Sequence, residues 1–137
     1  IGTTATASDD YTLPPTNTCT GFNTRAPDVV YRLQPPVGSR VFVRATPVGG
    51  WDMSLYVYSD CSNVLSTENR VACAVDGALT EALVFDPAVT PGPYHVIVDG
   101  TNGESGEFEL TWGAVGCTIT DECPEGQVCN QQTYQCN

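Results

Sequence analysis

Between Asp28 and Trp112, short runs of alternating apolar and polar residues recur about every ten residues. The stretch PGPYHVIVDGTNGESGEFELTW, Pro91 to Trp112, carries the pattern most clearly. Tyr94, Val96 and Val98 fall on one face of its first arm, and His95, Ile97 and Asp99 on the other. Phe108, Leu110 and Trp112 alternate with Glu107, Glu109 and Thr111 in the second. That period of two predicts strands with one buried and one wet face. The Gly- and Asn-rich residues between the arms supply turn chemistry, so the stretch reads as a β-hairpin.

The same reading extends upstream. VVYRL puts Tyr31 and Leu33 opposite Arg32, and RVFVRAT puts Val41, Val43 and Ala45 inward with Arg40, Phe42 and Arg44 outward. In MSLYVYS, Met53, Leu55 and Val57 face inward while Tyr56 and Tyr58 face outward. VACA and EALVFD are two further short strands. No window has apolar residues at helical spacing. About seven to eight strands result, the expectation for an all-β antiparallel sandwich of jelly-roll or immunoglobulin-like type.

Two flanking segments differ in composition. Residues 1–24 are rich in threonine and poor in bulky apolar side chains, which predicts an extended arm. Ile1, Thr3, Thr4, Ala5, Thr6 and Ala7 are strand-compatible, and an arm without its own hairpin partner can add to an exposed sheet edge, in the same chain or in a neighbour. Residues 115–137 hold four cysteines spaced C-x5-C-x5-C-x6-C and few core candidates, so crosslinks must hold them together. The expected organisation is arm (1–24), sandwich (25–114) and cysteine-rich module (115–137).

DVVYRL…PPVGSRVFVRA, GWDMSLYVYSDC and TPGPYHVIVDGTNGESGEFELTW together resemble the bacterial pre-peptidase C-terminal domain, a β-sandwich module appended to secreted proteases and other exported proteins. DECPEGQVC is similar to short cysteine modules of exported bacterial surface proteins. The resemblance implies a non-catalytic accessory, binding or structural module. Some members of that family bind collagen and hold calcium through acidic residues near the N-terminus of the domain. Asp9 and Asp10 lie upstream here, but neither matches that motif residue by residue.

Composition narrows the partners. Sixteen acidic residues against five arginines and no lysine give a net charge of -11, which argues against nucleic acid and anionic membranes. Seven cysteines in 137 residues indicate an oxidising compartment. With no leader and no apolar run of membrane-spanning length, the chain reads as a processed, secreted protein. Cysteine spacings of five and six beside a single histidine fit disulfides rather than zinc. Cys61 and Cys73 flank one excursion and are expected to pair. Of three pairings open to the tail, the interleaved Cys117–Cys129 and Cys123–Cys136 is favoured. Cys19 is left over, and three fates stay open: free, displacing one of these pairs, or joined to another molecule.

Catalytic chemistry has little support. His95 is the only imidazole, and there is no serine elbow, zinc-protease helix or phosphate-binding loop. No metal site is expected; Asp99, Asn102 and Glu104, and also Asp121 with Glu122, are weak calcium candidates that lack the ligand spacing of a calcium loop. Arg32, Arg40, Phe42, Arg44, Trp51, Tyr56 and Tyr58 have the arginine and aromatic character of an interface core. The expectation is a secreted structural or adhesive subunit at the cell surface. It would assemble head to tail into a filament or layer through its arm and its Arg/aromatic face. The alternative is an accessory module binding extracellular polysaccharide or protein, with Trp51, Tyr56 and Tyr58 as a stacking surface.

Overall fold

The computed structural model describes residues 1–36, 38–74, 79–87, 89 and 92–137. Among these residues, ten strands form two packed sheets and a small hairpin: β1 (Gly2–Thr3), β2 (Val29–Leu33), β3 (Val41–Pro47), β4 (Met53–Tyr58), β5 (Arg70–Cys73), β6 (Glu81–Phe85), β7 (Tyr94–Gly100), β8 (Glu107–Ala114), β9 (Cys129–Asn130) and β10 (Gln135–Cys136). The first sheet runs β1-β8-β3-β6 and the second β2-β7-β4-β5, with every pairing antiparallel. Among the described residues there is no α-helix, only two 3-10 turns. The chain is therefore an all-β antiparallel sandwich.

Its core follows the alternation. Val41, Val43 and Ala45 of β3 meet Met53, Leu55 and Val57 of β4 across the interior, joined by Leu83, Phe85, Val96, Val98 and Phe108. Each fully buried large side chain contributes roughly 1.5–3 kcal/mol of transfer free energy.

The expected hairpin between Pro91 and Trp112 is corrected; Pro91 itself lies outside the described residues. β7 belongs to the second sheet and β8 to the first, so residues 101–106 arch from one sheet to the other. Alternation assigns a face to each strand but not a partner, and the inward faces of β7 and β8 pack equally well across a sandwich. The arch turns tightly: a Cβ on Gly100 would lie 1.7 Å from the Glu104 carbonyl oxygen. Asn102 and Gly103 take positive φ, as turn residues can.

The N-terminal segment is tied down along its length. β1 pairs with β8 of the same chain, Gly2 opposite Phe108 and Thr3 opposite Glu107. Gly2 passes so close that a Cβ there would come within 2.6 Å of the Phe108 ring and 2.5 Å of the Tyr31 hydroxyl. Thr4, Ala5, Thr6 and Ala7 leave the sheet. Thr4 still exchanges two hydrogen bonds with Gly106, its N–H to the Gly106 carbonyl at 3.0 Å and its hydroxyl accepting the Gly106 N–H at 3.1 Å. Farther along, Leu13 and Cys19 close over the outer face of the second sheet, burying Tyr56, Tyr58 and Ile97 in a second core with Val64.

Candidate functional site

Strand β3 presents Phe42 and Arg44 on the outer face of the first sheet, as alternation requires, and Arg40 just ahead of it lies on the same side. Their partner is the chain's own C-terminal module. Arg40 Nη2 lies 3.1 Å from both carboxylate oxygens of Glu122. Arg44 donates from Nη2 to the Gln131 carbonyl at 2.7 Å and from Nη1 to the Gln132 carbonyl. Its guanidinium also sits 5.7 Å from the Tyr134 ring centroid, and Phe42 stacks on that ring at 5.1 Å. The amide of Gln135 caps the Ala114 carbonyl at 2.8 Å. The Thr118 N–H first, and Arg40 with it, pull the Glu122 carboxyl down to about 2.

The remaining residues of the expected interface do not join this face. Arg32 is exposed on β2, in the opposite sheet and across from His95. Tyr56 and Tyr58 have no solvent exposure. They are outward on β4, as expected, but the N-terminal segment covers them. Trp51 is buried in the main core with its indole N–H donated to the Glu107 carbonyl at 2.8 Å. A stacking surface of these three aromatics is therefore not open to a ligand.

The cysteines are also corrected. Cys19 pairs with Cys73, and Cys61 is the free thiol. Cys73 stands opposite Tyr56 on the β4–β5 ladder, on the face that the arm covers, so the arm's own cysteine reaches it. Burial pushes the Cys61 thiol up, partly offset by the Tyr11 hydroxyl. Cys117–Cys129 and Cys123–Cys136 bridge as expected and staple the β9–β10 hairpin.

Calcium candidates Asp99, Asn102 and Glu104 do not converge. Asp99 turns into the second core and accepts the Tyr56 hydroxyl proton at 2.6 Å, Asn102 is exposed, and Glu104 accepts the Asp52 N–H. Burial raises the Asp99 carboxyl to about 8, against hydrogen bonds from Tyr56, Thr24 and the Gly100 N–H that favour its ionised form. Asp28 is buried nearby and accepts the N–H groups of Asp10 and Tyr11, each at 2.8 Å, which anchors the arm rather than an ion. Among the described residues, the one set of three potential ligands within 4.8 Å is Cys117, Cys123 and Cys136. All three sulfurs are committed to disulfides. His95, half-buried on β7, has a buried Nδ1 with no hydrogen-bond partner.

Besides the outer strands β2, β5 and β6, the first sheet has a partly open edge at β8. β8 is eight residues long, yet β1 covers only Glu107 and Phe108 on the side away from β3. Among the described residues, no strand pairs with that side from Glu109 to Ala114. Trp112 stands there 44% exposed, and Ile1, just ahead of β1, is 95% exposed. Alternation found Trp112 but could not show that its strand lay at a sheet edge. No family model, curated protein or solved structure matches the chain.

Proposed function

We propose that the chain is a secreted, non-catalytic structural or adhesive subunit that joins copies of itself by adding a strand to the free edge of β8. The observation that carries this reading is the mismatch between β8, with eight residues, and β1, with two. An unpaired edge with exposed apolar side chains is a template for strand addition. A neighbour's arm exchanged for the chain's own repeats the contacts with Glu107 and Phe108, and the edge from Glu109 onward is left for a second contact between the copies. Head-to-tail repetition of that contact gives a filament or layer.

One feature supports the extracellular setting. Three disulfides suit an oxidising environment. Among the described residues, no helix is long and apolar enough to cross a membrane. The resemblance to the pre-peptidase C-terminal domain points the same way. Sedimentation velocity over a concentration series tests the reading. The intact chain should shift to larger species as concentration rises, and Trp112→Lys should hold it near monomer. Concentration-independent monomer for the intact chain would refute it.

A second reading, an accessory module that binds extracellular polysaccharide, is favoured by a groove beside Arg44.

A further inference from the structure

We infer that the groove between the outer face of the first sheet and the C-terminal module binds a neutral, hydroxyl-rich ligand, the sugar rings of an uncharged extracellular glycan. This rests on the second reading above and gives it a site and a ligand class. The groove encloses about 390 Å³. Its floor is two cross-strand pairs, Arg44 with Thr111 and Thr46 with Glu109. Phe42 adds the one aromatic wall, and the loop of the disulfide module, through Gln132 and Thr133, forms the opposite rim. Seams between two packed units are common places for ligand sites.

The lining has the chemistry of sugar recognition. A sugar hydroxyl both donates and accepts, so neighbouring hydroxyls need donors and acceptors side by side. Glu109 accepts, the Gln132 amide does both, and the threonine hydroxyls do either. No side chain of Thr46, Glu109, Thr111, Gln132 or Thr133 makes a hydrogen bond within the described chain, so their capacity is unspent. The Phe42 ring offers an apolar face for the C–H surface of a pyranose. Charge selects among glycans: Glu109 offsets Arg44 within the groove, and the net charge of -11 opposes uronate or sulfated chains.

The site is also built before a ligand arrives. Arg44 is fixed by two carbonyls of the module and by the Tyr134 ring, and Phe42 is stacked on the same ring. Two disulfides hold the loop that carries the rim. Such preorganisation lowers the ordering cost of binding.

The test is a nitrogen-15 NMR titration of the intact, oxidised chain with D-glucose, D-mannose, D-galactose and a β-1,4-glucan oligosaccharide, with sodium glucuronate as the charged comparison. The expected result is amide shifts at Thr46, Glu109, Thr111, Gln132 and Thr133 with at least one neutral sugar, and weaker binding of glucuronate. Glu109→Ala and Thr111→Ala should each weaken affinity about tenfold, as for loss of one hydrogen bond, with an unchanged melting temperature. Shifts confined to another surface would overturn the groove while leaving a glycan-binding module standing. No shifts with any sugar would overturn both, and tighter binding of glucuronate would overturn the neutral assignment.

Discussion

Asp99 lies wholly out of solvent, with Tyr56 as its hydrogen-bond donor. Its folded pKa, raised by burial to about 8, exceeds the ordinary carboxylate value of 3.8. The folded state therefore holds a proton that the unfolded chain has already lost between those values. By linkage, this group's contribution falls as pH rises from about 4 to about 8 and is flat above. Asp99→Asn should remove that component. Melting temperatures of both proteins across this range should differ in slope, the wild type losing more as pH rises. Parallel curves would place an ordinary carboxyl at Asp99. The cysteines give a second expectation at this scale. Alkylation of the unreduced, denatured chain should label Cys61 alone, and Cys61→Ser should leave stability nearly unchanged. Cys19→Ser should cost about 2–4 kcal/mol in denaturant unfolding, because a bridge spanning 54 residues is lost. A Cys61–Cys73 peptide in a non-reducing digest would contradict this assignment.

At the scale of elements, residues 9–24 act as a lid on the second sheet. Leu13 is 1% exposed and packs with Tyr56, Tyr58 and Ile97. The surrounding backbone is fixed by the Leu13 N–H to the Thr24 hydroxyl at 2.8 Å and the return bond from the Thr24 N–H at 3.1 Å. Leu13→Ala should therefore destabilise the chain by about 2–5 kcal/mol, the range for a core leucine, as read by urea unfolding. A loss near zero would mean that the segment is a loose arm after all. Composition pointed to such an arm because a covering coil has no period to detect: Leu13 is one apolar residue among threonines and prolines. β3 and β4 were legible because alternation reports faces directly. The arch at residues 101–106 was not, since a hairpin and an arch share one pattern. Cys19 and Cys73 are too distant in sequence for spacing to pair them. Phe42 and Arg44 were correctly placed outward, but their partner Tyr134 sits in a module with no strand alternation of its own.

At the scale of the whole molecule, both appended segments serve the sandwich. The N-terminal segment covers the outer face of the second sheet, and the disulfide module docks on that of the first. Two surfaces that composition marked for partners are thereby consumed internally. On the side of β8 away from β3, no strand among the described residues pairs from Glu109 to Ala114, and the Gln135 amide meets the Ala114 carbonyl. Sixteen acidic residues would oppose close approach of copies at low ionic strength, so assembly through a backbone ladder should strengthen as salt screens them. Electron microscopy of the intact chain at high concentration and physiological salt, beside the chain lacking residues 1–4, tests strand addition most directly. Filaments or layers from the intact chain, lost on truncation, are expected. Discrete monomers from the intact chain, or assemblies unaffected by the truncation, would contradict it.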